Sequence, residues 1–292
     1  MSVSELAYVI FESADIPLWR SFARDVLGMA AVDATDGALY LKMDDRDFRV
    51  AVIPGSGERL VATGWAMDSE QSFDNLRSTL DLSGVGNSSA TEDGIRLRRV
   101  QDYFSFRDPA GNLHEICWGP ISDYAKFVSP VGVSGFVTGP LGLGHVVLPA
   151  TNLEEVLAFF VGSMQFELSD IIHFDFGGQP VRVSFTHCNN QRQHSLALAG
   201  MGAPNGLVHM MFEVATLRDV GEALDRVEAH GLSLAMTLGQ HVNDDCVSFY
   251  FISPQGFMLE IGCEGVLKDW TNHVVFETTR PSYWGHKFVL NG

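Results

Sequence analysis

The chain has 292 residues, of which 46% are hydrophobic and 11% aromatic, so it can bury a sizeable core in one or two domains. Its formal net charge of −17 leaves no basic patch to bind DNA, RNA or an anionic membrane. No apolar stretch is long enough to span a bilayer, and the N-terminus lacks the basic segment and cleavage site of a secretion signal. The four cysteines show no paired spacing, which is typical of reduced thiols in the cytoplasm.

Strand-like and helix-like segments alternate along the whole chain. In the first half, helices are predicted at 17–27 and 70–82. A strand begins near residue 4, and further strands are predicted at 38–43, 48–53, 61–67, 95–100, 103–106 and 114–118. The second half follows the same order, with helices predicted at 153–161 and 217–230 and strands on both sides of each. We expect the aromatic-rich tail after residue 265 to pack back on the second half.

The chain also repeats itself in sequence. LAYVIFESADIPLWRSFARDVLGM, from Leu6, resembles LGHVVLPATNLEEVLAFFVGSMQF, from Leu143. FSFRDPAGNLHEICWG, from Phe104, resembles YFISPQGFMLEIGCEG, from Tyr250. These matches indicate a tandem duplication with a join at 120–140. Because each half divides again into strand, helix and three strands, we predict an α+β fold of four tandem βαβββ modules. The modules form two domains, 1–135 and 136–292.

Two histidines and one glutamate interrupt apolar strands of the second half. They are His145 in LGLGHVVLP, His209 in GLVHMMFEV and Glu260 in GFMLEIG. A lone ionised carboxylate is costly to bury, so Glu260 needs a partner. Two neutral imidazoles and one carboxylate on neighbouring strands are the ligand set of non-heme Fe(II) sites that keep open positions. The pattern therefore predicts a metal centre.

The first half provides an internal comparison for this site. Glu115 matches Glu260, but Tyr8 takes the place of His145, and His209 falls near Thr63 and Gly64. The first half thus keeps the scaffold without the imidazoles. We predict one metal site, in the second half, and none in the first.

A second polar cluster lies between and beyond the predicted ligands. RQHSLAL contains His194, and GQHVNDDCVSFYF contains His241, Asn243, Asp244 and Tyr250. Beside a metal, this set offers a base, hydrogen-bond donors and an acid. The other histidines lie in predicted turns, helix ends or the tail, where solvated or local roles are expected: His114, His173, His187, His230, His273 and His286.

Several segments together resemble one family. GLGHVVL, HCNNQRQHSLAL, LVHMMFEV, TLGQHVNDDCVSFYFISPQGFMLEIG and YWGHKF resemble the two-domain type I extradiol dioxygenases of the vicinal oxygen chelate fold. The resemblance spans essentially the whole chain and is greatest to the 2,3-dihydroxybiphenyl 1,2-dioxygenases and their steroid-catechol relatives. Two positions depart from the family pattern. Gln193 stands where the first of two histidines usually precedes His194, and Val208 stands before His209.

The resemblance implies a cytoplasmic homo-oligomer that cleaves a catechol-type diol with O2, outside the two hydroxyls. It implies Fe(II) as the cofactor, although the ligand set alone would also accept Mn(II). The implied metal ligands are His145, His209 and Glu260. The implied catalytic residues are His194, His241 and Tyr250, and the implied substrate-binding residues are Asn243, Asp244, Val147 and Phe185. We expect a pocket for a bulky substituent to be lined by Val147, Phe174, Phe185, Ala199 and Met201.

Alternatives remain open at this point. The diol could be a biphenyl, naphthalene or steroid catechol, because apolar lining residues do not distinguish them. A different class would be a metalloenzyme of the same fold that does not use O2, such as a glyoxalase-type isomerase. A third would be a metal-free binding protein of that fold.

Overall fold

The computed structural model describes residues 3–176 and 178–289. Within them lie five α-helices and two large β-sheets. The helices are α1 (Ile16–Phe22), α2 (Glu70–Leu82), α3 (Glu92–Arg98), α4 (Leu153–Gly162) and α5 (Leu217–Ala229). The strands of the first sheet are β1 (Glu5–Ser13), β2 (Ala30–Asp33), β3 (Leu39–Lys42), β4 (Val50–Pro54), β5 (Arg59–Met67), β6 (Asn87–Ser89), β7 (Asp102–Arg107) and β8 (Leu113–Trp118). Those of the second are β9 (His145–Pro149), β10 (Glu167–Phe176), β11 (Gln179–His187), β12 (Leu196–Ala199), β13 (His209–Glu213), β14 (Leu234–His241), β15 (Val247–Ile252), β16 (Met258–Cys263), β17 (Phe276–Thr278) and β18 (Ser282–Trp284).

Four βαβββ modules follow one another along the chain, as predicted. In each module the first strand pairs in parallel with the last, so β1 lies beside β4, β5 beside β8, β9 beside β12 and β13 beside β16. A parallel pair needs a long crossover, which the helix and the two intervening strands provide. In the second module this crossover also contains α3. The predicted α+β fold is confirmed.

Modules join in pairs through their first strands. The antiparallel pair β1–β5 joins the first two modules into an eight-stranded sheet, and β9–β13 joins the last two into a ten-stranded sheet. The tail adds β17 beside β10 and β18 beside β14. It therefore covers both edges of the second sheet, which confirms that the tail packs on the second half and leaves fewer unpaired backbone groups exposed.

One predicted strand is wrong. Residues 95–100 lie mostly in helix α3, because Thr91 caps its N-terminus by accepting a hydrogen bond from the Gly94 amide at 3.1 Å. Two acidic residues in the first turn and two arginines in the last favour the helix dipole. The predicted helix 17–27 is also divided, since α1 continues as a π-helical turn over Ala23–Leu27.

The two sheets share a continuous core rather than meeting at a polar surface. Phe11 and Trp19 of the first half pack on Phe257, with ring centroids 4.6 and 6.0 Å apart. Trp65 meets Phe166 edge to face at 5.1 Å. Such aromatic pairs bury large apolar area and fix the halves against each other.

A domain boundary at 135/136 stays a prediction. Among the described residues, no helix is long and apolar enough to cross a bilayer.

Candidate metal centre

The predicted ligands come from the three adjacent central strands of the second sheet. His145 opens β9, His209 opens β13 and Glu260 lies in β16. Met211 of β13 lies opposite both His145 and Glu260, so these two side chains share one face of the sheet. His209 stands two residues before Met211 and therefore points to that same face. Strand register brings together residues that are up to 115 positions apart.

The ligand atoms converge within hydrogen-bonding distance of one another. The Nε2 atoms of His145 and His209 are 3.2 Å apart, and each lies 3.3 Å from Oε2 of Glu260. Within the described part of the chain, these three residues form the one group of His, Cys, Asp and Glu side chains arranged to hold an ion, with ligand atoms within 4.8 Å of one another. Burial lowers the pKa of both imidazoles, so each is neutral and offers a lone pair.

The charge state of the group fits a cation. Glu260 is 1% exposed, and its Oε2 is buried without a hydrogen-bond donor directed at it. Burial would raise the pKa of this carboxyl, but the adjacent imidazoles of His145, His209 and His241 hold it well below its usual range. A buried anion with an unpartnered oxygen between two lone-pair donors lacks a positive centre. A divalent ion such as Fe(II) satisfies all three groups at once.

On one side of the ligands, His241 and Tyr250 form a hydrogen-bonded pair. His241 Nε2 lies 2.8 Å from the Tyr250 hydroxyl and 3.4 Å from Oε1 of Glu260. The other ring nitrogen, Nδ1, lies 3.2 Å from the Pro281 carbonyl oxygen in the tail, which is a fixed acceptor. Burial raises the pKa of Tyr250 well above its usual value, so its hydroxyl remains a donor.

On the opposite side stands His194. Its ring lies 4.1 Å from that of His145 and meets Phe185 edge to face at 4.8 Å. Its Nδ1 is 2.5 Å from Oε1 of Gln193, whereas its Nε2 is buried without a partner. In the sheet order, β12, which follows His194, and β14 and β15, which carry His241 and Tyr250, lie on opposite sides of the ligand strands β9, β13 and β16. His194 and the His241–Tyr250 pair therefore flank the site from two directions.

Asn243 and Asp244 lie in the turn between β14 and β15, and both are buried at the wall of the site. Oδ1 of Asp244 accepts a hydrogen bond from the Cys246 amide at 3.0 Å, which closes the turn. Burial raises the pKa of Asp244. One oxygen of the Asp244 side chain therefore stabilises the loop and does not face the cavity as a free acceptor.

All these groups line one cavity of about 580 Å³. This volume is in the range of small-molecule sites, and most of its wall is apolar. All five predicted wall residues line it: Val147, Phe174, Phe185, Ala199 and Met201. Further apolar wall residues, which were not predicted from the sequence, come from β10, β11, β14 and β16 and from the tail. They are Ile172, Val181, Val183, Met236, Met258 and Phe288.

The equivalent position in the first half is filled by protein groups. Tyr8 donates a hydrogen bond to Oε2 of Glu115 at 2.7 Å, and Nε of Arg98 lies 2.5 Å from the same oxygen. The Arg98 guanidinium also stacks over the Tyr103 ring at 4.1 Å. A fixed cation therefore neutralises Glu115 where imidazoles surround Glu260.

The proposed equivalence of His209 with Thr63 or Gly64 is wrong. Strand register places Ala62 in the position of His209, and Gly64 in that of Met211. A side chain at Gly64 would approach the Tyr8 ring within 2.3 Å, so glycine makes room for Tyr8. Thr63 points to the other face, where its hydroxyl lies 2.7 Å from Nδ1 of His114.

Solvated or local roles were predicted for the remaining histidines, but three of them are buried. His114 bonds Thr63 and Asp108, His187 bonds Ser169, and His286 bonds residues of β15 and β18. Their roles are local, but they are not solvated. The His286 ring also packs against that of His241 at a tilt of 31°, with ring centroids 4.0 Å apart, and so supports the site from the tail.

Comparison with known proteins shows the family of this chain. Residues 142–261 match the Glyoxalase/Bleomycin resistance protein/Dioxygenase superfamily, and residues 6–55 match the family Dihydroxybiphenyl dioxygenase BphC D1. The iron-dependent extradiol dioxygenase of Rhodococcus jostii is 38% identical over 298 residues, which cover 99% of each chain. This chain belongs to the extradiol dioxygenases. Its resemblance to that family, its oxidoreductase class and its use of iron are confirmed.

Two further comparisons place this dioxygenase more closely. The biphenyl-2,3-diol 1,2-dioxygenase of Metapseudomonas furukawaii is 37% identical to it over 291 residues, which cover 99% of this chain and 95% of the relative. The crystal structure of BphC, a halotolerant catechol dioxygenase, superposes with a TM-score of 0.92 at 32% identity, covering 99% of this chain and 95% of that one. The dioxygenase therefore has the fold of its relatives over its whole length.

Proposed function

We propose that the chain cleaves a catechol bearing a bulky apolar substituent, such as 2,3-dihydroxybiphenyl, with O2 at the bond next to the diol. One observation carries the proposal. Glu260 Oε2 and His194 Nε2 are buried polar atoms without partners, and both face an apolar cavity that can hold a two-ring substrate. The identity to a biphenyl-2,3-diol dioxygenase supports the same substrate class.

His145, His209 and Glu260 would hold Fe(II), and one carboxylate with two neutral imidazoles leaves a net positive charge at the ion. The chemistry that Fe(II) supplies when bound is a common site for the diol and O2, across which electrons pass between them. The single buried carboxylate keeps that charge available for a diol anion. The surrounding apolar wall excludes water and strengthens every electrostatic interaction inside.

His241 and Tyr250 would orient the diol. The pair already shares a hydrogen bond on one side of the ligands, so a diol oxygen placed there exchanges one partner for another without reorganising the protein. The Pro281 carbonyl and the adjacent ring of His286 hold His241 in place. Asn243 and Asp244 would fix the position of the loop that carries His241.

His194 would move a proton on the opposite side. Its Nε2 has no partner, and its ring lies between those of His145 and Phe185, so it could accept or donate a proton on this face of the ligand group. Substrate placed against Tyr250 leaves this face open. His241 and Tyr250 on one side would bind the diol, while His194 on the other side would transfer the proton. This separation fits a reaction in which the same substrate ring is held and protonated at once.

The first test is oxygen uptake after anaerobic reconstitution with Fe(II), comparing 2,3-dihydroxybiphenyl, 3-methylcatechol and catechol. We expect one O2 consumed per diol, a yellow product, and kcat/KM at least about tenfold higher for 2,3-dihydroxybiphenyl than for catechol. Burying a phenyl-sized group is worth roughly 1.5–3 kcal/mol, and 1.4 kcal/mol corresponds to a factor of ten. Absence of uptake with every diol would refute the proposal, and an isomerase reaction without O2 would establish the rival class.

A cavity variant tests where the substituent binds. Val181, Val183 and Phe185 alternate along β11 and all line the cavity, so each step of two residues leads roughly 7 Å further from His194. We expect Val183→Phe to lower kcat/KM for 2,3-dihydroxybiphenyl by about tenfold, because overpacking a tight wall costs roughly 1–3 kcal/mol. The value for 3-methylcatechol in the same variant serves as the control and should change less than about threefold. Equal losses for both substrates would place the second ring elsewhere.

We further propose that the chain works in the cytoplasm as a homo-oligomer. The four buried, free thiols suit a reducing compartment. Exposed apolar side chains, including Tyr124, Val128 and Val274, support association through the surface. Light scattering of the purified protein should give a multiple of the 32.0 kDa chain mass; a monomer mass would refute the assembly.

A further inference from the structure

The backbone before His194 is held by buried interactions. Arg192 forms an ion pair with Glu213 and donates hydrogen bonds to the Leu141 and Val137 carbonyls at 3.0 and 2.9 Å. The Ser169 hydroxyl donates to the Gln193 carbonyl at 2.6 Å. Residues 192 and 193 are therefore fixed independently of any ligand, and the side chain of Gln193, which is 1% exposed, has a defined direction.

Gln193 links a carboxylate to the ring of His194. Its side-chain Nε2 donates to Oδ2 of Asp170, and its Oε1 lies 2.5 Å from Nδ1 of His194. Asp170 is completely buried, and its other oxygen accepts a hydrogen bond from the Phe276 amide of the tail at 3.3 Å. The link joins a carboxylate on β10 to two consecutive residues in the loop before β12.

The polarity of this link follows from its carboxylate end. Burial raises the pKa of Asp170 to about 6, so at neutral pH it is ionised and only accepts hydrogen bonds. The amide nitrogen of Gln193 must then face Asp170, and the amide oxygen must face His194. An oxygen acceptor at 2.5 Å requires the proton on Nδ1 of His194. The Nε2 atom is left with its lone pair directed into the cavity.

We propose that Gln193, oriented by Asp170, is a positioning residue that holds His194 in its Nδ1–H tautomer. The inference rests on the proposed function only in giving His194 a proton-transfer role; the tautomer itself is a property of the protein without metal. Free histidine favours the Nε2–H form, which would place a proton where a base is needed. The residue that departs from the double-histidine pattern of the resembled family thus has a defined task in this chain.

The same geometry predicts which substitutions preserve the link. A neutral imidazole has one donor and one acceptor nitrogen, so Gln193→His can donate to Asp170 and accept from His194 with the same polarity. Gln193→Met has similar length but no hydrogen-bonding group. Asp170→Asn keeps the shape of the carboxylate but offers both a donor and an acceptor, so the amide of Gln193 loses its fixed direction.

The test combines kinetics with a direct measurement of the ring. In protein labelled with ¹⁵N at histidine and free of metal, two-bond ¹H–¹⁵N spectra show which nitrogen carries the proton, with the His194 signal identified by its loss in His194→Ala. We expect Nδ1–H in the natural protein and in Gln193→His, and the Nε2–H form or a mixture in Gln193→Met and Asp170→Asn. In the iron-loaded enzyme, Gln193→Met should lower kcat about tenfold at unchanged KM and iron content, the equivalent of one lost hydrogen bond. Gln193→His should restore kcat to within about threefold.

Each outcome decides the inference. An unchanged Nδ1–H signal and unchanged kcat in Gln193→Met would overturn it, as would a loss of kcat with no change of tautomer in either variant. If Gln193→Met does not fold, Asp170→Asn gives the same spectroscopic answer. Failure of the proposed function is distinguishable, because natural protein that takes up no O2 with any diol still reports its His194 tautomer.

Discussion

Glu260→Gln should abolish iron binding and lower ring-cleavage activity by at least about 1,000-fold, because the site loses the anion that balances a divalent ion. The substitution keeps the shape and one oxygen of the side chain, so it isolates the charge. In the natural protein the buried carboxylate lies 3.3 Å from two imidazole nitrogens. In the variant these nitrogens have only a neutral amide between them. Iron content after anaerobic reconstitution and oxygen uptake with 2,3-dihydroxybiphenyl measure both effects.

The duplication provides a matched control, Glu115→Gln in the first half. Glu115 is as buried as Glu260, but it is paired with Arg98 and Tyr8. Removing its charge leaves the half-buried guanidinium unpaired, so we expect a loss of roughly 3 kcal/mol in the free energy of unfolding, with full iron content in the folded protein. Thermal unfolding and iron analysis of both variants separate the cases. Glu115→Gln protein that folds but contains no iron would contradict a single site in the second half.

Hydrophobic pattern predicts most of the architecture because it is local. The alternation of strand and helix and the Pro-x-Gly turns of the repeats were sufficient for the four modules. The pattern failed at α3, where RLRRV is strand-like in composition, because the Thr91 cap and the charges at both helix ends decide the conformation. Capping of this kind is local too, and its sequence signal is Thr91 followed by two acidic residues.

The site was predictable where a polar side chain interrupts an apolar strand. His145, His209 and Glu260 are such cases, and pairing of their strands brings them together. The equivalence of His209 with Ala62 was not predictable, because the chain between the two paired strands differs in length in the two halves, and only the strand register fixes which residues correspond. Nor was the Asp170–Gln193 contact, which joins a residue of β10 to one 23 positions later in the loop before β12.

His194→Ala should keep iron and substrate binding but lower kcat by about 10²–10⁴-fold, the usual contribution of a positioned acid–base group. His194 is not among the three residues whose atoms converge on the ion site, and its Nε2 has no partner in the protein. Its removal should therefore leave the ligands and the His241–Tyr250 pair in place. Anaerobic titration with 2,3-dihydroxybiphenyl, iron analysis and steady-state oxygen uptake measure binding, metal content and turnover separately.

The control for this prediction is a buried histidine that does not face the cavity. His114 lies in the first sheet, where both ring nitrogens are near protein groups, Thr63 and Asp108. His114→Asn should lower the unfolding temperature but leave kcat of the folded enzyme within about threefold, because lost hydrogen bonds in the core cost stability rather than rate. If His194→Ala lost substrate affinity and iron together with turnover, its effect would be structural, and the unpartnered Nε2 would have no part in proton transfer. Loss of kcat alone in His194→Ala, with kcat nearly unchanged in His114→Asn, would assign proton transfer to Nε2 of His194, the atom that faces the cavity.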